Sequence, residues 1–100
     1  MAKTTTLEAE NPGDSVTFDN TAVADVGINV ETHHHTVTVE EGVTTYSVDI
    51  RIAGRWVRPA DCTDVAEDDA VVLRQVGFDA VKVTCAQAGD VTLTSWKDPR

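Results

Sequence analysis

Three consecutive histidines, His33, His34 and His35, are the residues with the clearest capacity to bind a metal, and the chain has no other histidine. They open an alternating run, HHHTVTVEE, that is typical of a β-strand. In a strand, His33 and His35 point the same way, with Cβ atoms about 7 Å apart, while His34 points the opposite way. Two imidazoles are fewer ligands than a tight zinc site needs, so a metal site would require copies of this pair around a three-fold axis.

The same histidines also fit a strand that binds no metal. His35 would then cover the sheet edge above Val37. This interpretation is preferred, so we assign no metal ligand and no cofactor. The symmetric histidine site stays open as an alternative, as does a mildly pH-sensitive contact, because imidazole titrates near neutral pH.

Residues suited to nucleophilic catalysis are few and follow no catalytic pattern. The serines Ser15, Ser47 and Ser95 stand in no G-x-S-x-G turn, and the six glycines form no phosphate-binding loop. Cys62 and Cys85 have no CxxC spacing, and two thiols without a secretion signal are more often reduced than paired. The chain is therefore predicted not to be an enzyme, and whether the two cysteines pair is left open.

The segment ADCTDVAEDDA, residues 60–70, is the most acidic part of the chain and suggests a calcium loop. Its carboxylates do not follow the EF-hand order of alternating oxygen ligands with glycine at the sixth position. A solvated acidic loop is therefore the preferred interpretation. The carboxylates are those of Asp61, Asp64, Glu67, Asp68 and Asp69.

Trp56 and Trp96 are the aromatic residues that could bind a carbohydrate, because sugars commonly stack on exposed rings. Trp96 shares the alternation of Thr92 and Thr94 and so could lie on an exposed face. Packing at the rim of the core is the preferred alternative for both tryptophans.

These side chains must be positioned by a fold whose composition favours strands. One hundred residues suffice for one domain, and a core would consist mainly of the 16 valines, supported by 14 threonines that are also β-branched.

The net charge of −9 argues against nucleic acid and anionic membranes as partners, since no basic stripe could neutralise phosphates. Abundant Asp and scarce Lys also fit adaptation to high salt. No apolar run could span a bilayer, and the N-terminus lacks a signal-peptide core, as in a cytosolic protein.

Alternating apolar residues predict seven or eight short strands. The clearest is TYSVDIRI, followed by an Ala53-Gly54 turn and a strand containing Trp56. The run VGINVE predicts a further strand through residues 26–30, and GFDAVKVTCAQAGDVTLTSWKD predicts a closing hairpin. Residues 60–76 favour a loop followed by a strand over a helix from about Thr63 to Val76.

The predicted fold is all-β: a single antiparallel β-sandwich over residues 15–100, with a small barrel as the alternative. Residues 1–14 are polar, end in the turn signal NPGD, and are predicted to form an extended N-terminal arm. Such an arm would be ordered by a neighbouring molecule.

The second half of the chain resembles the small β-sandwich accessory proteins on the capsids and tails of tailed viruses. The resemblance lies in TYSVDIRIAGRWV and in GFDAVKVTCAQAGDVTLTSWK, and it covers about 55 residues without a shared catalytic motif. It implies a non-catalytic decoration or turret protein of a virion, assembled in the host cytoplasm, with a halophilic archaeon as a possible host. Its partners would be copies of itself, as a trimer or pentamer, and the major capsid protein or another virion protein. A carbohydrate- or receptor-binding module is the alternative, and a tail or head–tail accessory protein is the third candidate.

Overall fold

The computed structural model describes residues 2–74 and 77–97 and contains nine β-strands and one short helical segment within them. The helical segment is a turn of α-helix, α1, at Asn20–Val23, continued by a 3-10 turn at Ala24–Val26. The strands are β1 Lys3–Ala9, β2 Ser15–Asp19, β3 His34–Val39, β4 Thr45–Ile52, β5 Arg55–Val57, β6 Val65–Ala66, β7 Val71–Leu73, β8 Ala80–Cys85 and β9 Gly89–Trp96.

Two antiparallel sheets face each other across the core. The first sheet has the order β1-β9-β3-β7, and the second has the order β2-β8-β4-β5, with β6 on the same edge of β4 as β5. No strand of the described residues pairs with both sheets, so they form a sandwich and not a closed barrel. The predicted antiparallel β-sandwich is confirmed.

Period-two alternation fills the space between the sheets. In β4, Tyr46, Val48 and Ile50 are buried and point inward, while Arg51 lies on the outer face. The same alternation in the other long strands produces a core of valines with few aromatic rings. The largest fully buried residues are Tyr46, Phe18, Phe78, Leu93, His35, Val23, Val30, Val37, Val43, Val48, Val81 and Val83.

The segment predicted as an N-terminal arm is extended but contributes a strand to the sandwich. Lys3–Ala9 pairs with β9 over seven residues, from Lys3 opposite Ser95 to Ala9 opposite Gly89. A hydrogen-bonded turn with Gly13 at φ 84° then leads into β2 of the other sheet. The boundary proposed at residue 14 therefore does not separate an arm from the sandwich, because β1 finds its sheet partner within the same chain.

The strand predicted through residues 26–30 is wrong. Asp19 Oδ1 accepts a hydrogen bond from Ala22 N at 2.9 Å, which caps α1, and Gly27 at φ 78° ends the following 3-10 turn. Ile28 and Val30 are buried as expected, but from a loop. No helix within the described residues is long and apolar enough to cross a membrane.

The acidic segment folds as a loop that is followed by a strand, which is the preferred of the two predictions. The two-residue β6 pairs with β4, and β7 pairs with β3 at the edge of the first sheet. Residues 75 and 76, at the end of the rejected helix, lie outside the described residues.

Candidate functional site

The three histidines lie where the β2–β3 loop enters β3. His33 and His35 are buried, whereas His34 is only half-buried on the outer face. The alternation of side chains predicted for this run is confirmed.

His35 is completely buried, and both of its ring nitrogens have partners. Its Nδ1 atom lies 2.6 Å from Ser95 Oγ, and its Nε2 atom lies 3.0 Å from the carbonyl oxygen of Val30. A neutral imidazole satisfies both contacts: Nε2–H donates to the carbonyl, and Nδ1 accepts from the serine hydroxyl. Burial lowers the pKa of His35 from its ordinary value of 6.5, which the hydrogen bond to Val30 offsets only in part.

His33 is held by the turn that precedes β3. Its Nδ1 atom lies 2.8 Å from the carbonyl oxygen of Asn29 and 3.3 Å from Thr32 Oγ1. Since His33 and His35 are both turned into their own subunit, the pair is not presented to a neighbouring copy. This arrangement argues against the symmetric metal site. Within residues 2–74 and 77–97, no three potential metal ligands are grouped closely enough to hold an ion.

His35 and Ser95 are residue types that occur in catalytic dyads, but here the pair is not accessible to a substrate. Both residues have no exposed surface, so a substrate could not reach the hydroxyl. The contact arises from the pairing of β3 with β9, which places Ser95 directly opposite His35. The inward alternation of Val91, Leu93 and Ser95 was the available sequence signal, but it did not reveal the partner strand.

The two tryptophans lie on opposite outer faces of the sandwich. Trp96 packs on His34 on the first sheet, with ring centroids 5.8 Å apart. Trp56 lies on the second sheet, with 38% of its surface exposed. They cannot form one aromatic platform for a sugar.

Two cations flank the Trp56 ring. Lys82 Nζ lies 4.5 Å and Arg51 Cζ 5.5 Å from the ring centroid, distances at which a cation is attracted to the ring face. Arg51 also pairs with Asp79 at 2.8 Å. The turn at Ala53-Gly54 into a strand containing Trp56 was predicted, but this grouping of cations was not anticipated from the sequence.

A second ion pair stabilises the loop that follows β5. Arg58 contacts both carboxylate oxygens of Asp49, with Nε–Oδ1 at 3.0 Å and Nη2–Oδ2 at 3.1 Å. Asp49 is only 9% exposed, so this bidentate contact satisfies a carboxylate that would otherwise be poorly solvated. The pair is structural, because it fixes residues 58–64 against β4.

Cys62 and Cys85 are free and buried. The carbonyl oxygen of Cys62 accepts from Val48 N on one side of β4, while Cys85 lies opposite Tyr46 on the other side. Two strand spacings separate them, about 9–10 Å, which exceeds the reach of a disulfide. Burial also raises the pKa of both thiols, so neither is an activated nucleophile.

Carboxylates of the acidic segment serve the loop itself. Glu67 Oε2 accepts hydrogen bonds from Gly42 N and Thr44 N, at 2.6 and 3.1 Å. Tyr46 donates to the carbonyl oxygen of Asp69, and burial contributes most to raising the pKa of this tyrosine to about 12. The segment is thus bound to the β3–β4 turn and to the core by its own groups, as expected of a structural loop.

An apolar cleft opens between β7 on one side and β4 with the segment that follows β5 on the other. Its volume of about 260 Å³ is smaller than that of a typical small-molecule site. Among the described residues, its walls carry no nucleophile or titrating base. The lining residues are Ile50, Pro59, Val72, Leu73, Arg74 and Phe78.

The fold is similar to that of a known surface structure. No protein-family model matches the chain. No curated protein matches it either. A solved structure of Bacillus endospore appendages, described as a novel family of disulfide-linked pili, superimposes with a TM-score of 0.54 at 11% identity. The superposition covers 95% of this chain and 84% of the other, so the similarity extends over nearly the whole chain. That neighbour is an appendage protein, and the resemblance to tailed-virus capsid proteins stays a prediction.

Proposed function

We propose that this chain is a non-catalytic structural subunit that self-associates into a larger extracellular assembly. The observation that carries the proposal is the match of nearly the whole chain to a protein of disulfide-linked pili. The interior is consistent with such a role, because His35, Cys62 and Cys85 are all buried and serve packing. A decoration or turret role on a virus capsid is a more specific form of the same proposal.

A carbohydrate-binding role has weaker support. The tryptophans lie on opposite faces, and the exposed one, Trp56, is already flanked by Lys82 and Arg51. A glycan would have to compete with these cations or bind beside them.

Electron microscopy and light scattering of the purified full-length chain test the proposal. We expect ordered assemblies or concentration-dependent oligomers, and no hydrolysis of ester, peptide or glycoside substrates. A chain that stays monomeric at every concentration, and forms no particles, would contradict it. The capsid form of the proposal further requires co-purification with the major capsid protein of a virus.

A further inference from the structure

Antiparallel strands direct most of the carboxylates of this chain to one end of the sandwich. The turns β1–β2, β3–β4, β6–β7 and β8–β9 all reverse the chain at that end. Within the described residues, these turns and the strand ends beside them carry nine carboxylates and no Lys or Arg. We call this the acidic end: Glu8, Glu10, Asp14, Glu40, Glu41, Glu67, Asp68, Asp69 and Asp90.

The opposite end gathers cations. Among the residues that the structure describes, five cations lie there against four carboxylates, in a chain whose net charge is −9. The cations are Lys3, Arg51, Arg55, Arg74 and Lys97, and the carboxylates are Asp19, Asp25, Glu31 and Asp79. The principal extents of the molecule are 37, 24 and 22 Å, so the two ends are well separated.

Exposed apolar side chains mark the cationic end as well. Ile52, Trp56 and Val57 are 44%, 38% and 41% exposed, and all belong to the β4–β5 hairpin. Arg51 and Trp56 lie on the outer face of this hairpin, and Ile52, Arg55 and Val57 lie on its other face, so the hairpin is exposed on both faces. We call these five residues the hairpin surface. Exposed tryptophan and arginine side chains are characteristic of the few residues that dominate binding in protein interfaces.

We propose that the hairpin surface of one copy docks on the acidic end of the next copy. This inference rests on the proposed structural function and specifies its contact. A head-to-tail contact of this kind is heterologous, and it builds an open chain of subunits when its rotation does not close. At 0.1 M salt the Debye length is about 10 Å. Opposite charges in direct contact lie within this distance and attract each other, whereas the repulsion between the net charges of neighbouring copies is largely screened.

Complementary charge reversal tests this contact directly. The head variant Arg55→Glu/Arg74→Glu changes the cationic end, where both residues are exposed and Arg74 lies beside the cleft at the hairpin. The tail variant Glu41→Arg/Asp68→Arg changes two neighbouring exposed carboxylates of the acidic end. The matched control is Lys3→Glu/Lys97→Glu, which reverses the same charge on the far side of the cationic end. Thermal unfolding confirms that each variant is folded.

Sedimentation of the full-length chains at about 0.1 M salt should show concentration-dependent association of the wild type. Each reversal variant alone should need at least about tenfold more protein to associate, and an equimolar mixture of the two should associate again. The control should behave as the wild type, and association should weaken near 1 M salt, where the Debye length is about 3 Å.

Three results would overturn the docking contact. Either reversal variant could associate as well as the wild type, or the mixture of the two could fail to associate. The third result is that the hairpin binds an anionic polysaccharide such as hyaluronan in place of a second copy. If the wild type assembles while reversals have no effect, the proposed function stands and this contact fails. If the wild type never assembles, both fail.

Discussion

At the scale of single residues, His35 shows how burial turns a titrating side chain into a packing element. Its ring is fully buried beside Phe78, with centroids 5.7 Å apart, and its two nitrogens are bonded to Ser95 and Val30. Neutral imidazole satisfies this site, whereas imidazolium would place a second donor against a hydroxyl inside the core. The group is therefore a source of acid sensitivity and not of catalysis.

We predict that the free energy of unfolding falls as the pH drops below about 6.5 because of His35. The pKa of His35 is lowered in the folded state, so in this window the unfolded chain binds a proton that the folded chain does not. The contribution is complete above the ordinary pKa and is lost with falling pH. Urea unfolding between about pH 8 and pH 5.5, above the ordinary pKa of carboxylates near 4, measures it.

The variant His35→Gln should be less stable at about pH 8 by about 1–3 kcal/mol, because the buried hydrogen bonds and packing are impaired. Its stability should nevertheless vary less with pH than that of the wild type. His34→Gln, at a half-buried position on the outer face, is the matched control for removal of a histidine. Parallel curves for the wild type and His35→Gln would exclude His35 as the source.

At the scale of elements, local alternation specified the long strands but not their partners. Tyr46, Val48 and Ile50 reveal β4 because period two is visible within eight residues. Residues 20–30 do not form the strand that their alternation predicted, because a capping aspartate and Gly27 in the left-handed region favour a helical turn.

The pairing of the N-terminal strand and the hydrogen-bond partners of the histidines could not be predicted from local sequence, because both depend on residues far apart in the chain. Thr6 bonds to Thr92, 86 positions along the chain, and His35 bonds to Ser95, 60 positions away. The alternation of Thr5, Leu7 and Ala9 hinted at β1, but its polar residues resemble those of a free arm. Period two therefore predicted which way the histidines point, and only the sheet register determined what they contact.

A glycine at the start of β9 sets the spacing between that strand and the β3–β4 turn. A Cβ on Gly89 would lie 2.7 Å from Val43 Cγ2, and Val43 is fully buried. We predict that Gly89→Ala lowers the free energy of unfolding by about 1–3 kcal/mol, because the core must shift to admit the methyl group. Denaturant midpoints measure this change.

The control Gln87→Ala lies in the exposed turn two residues earlier and should change stability by no more than about 0.5 kcal/mol. Equal midpoints for Gly89→Ala and the control would show that Val43 can move aside at no cost.

At the scale of the whole molecule, the fold brings together acidic residues that are spread along the sequence. The turns β1–β2, β3–β4, β6–β7 and β8–β9, with the strand ends beside them, carry these residues, and antiparallel topology places all four turns at the same end. Net charge alone argued against nucleic acid and anionic membranes as partners and fitted adaptation to high salt. The resulting charge asymmetry gives the subunit two unlike ends. The orientation of subunits in an assembly can therefore be specified without a covalent link.

We therefore predict that any assembly of this chain forms without disulfides, unlike the disulfide-linked pili with which it shares a fold. Cys62 and Cys85 are buried on opposite sides of β4, so neither can reach the other or a neighbouring copy. Alkylation should be slow for both thiols in the native protein and complete for both in concentrated urea. Assemblies should persist under reducing agent, and Cys62→Ala/Cys85→Ala should still associate, at a cost of about 1 kcal/mol in stability per site. Dissociation by reductant, or a ladder of oligomers on a non-reducing gel, would show instead that a thiol leaves the core to form a covalent link between copies.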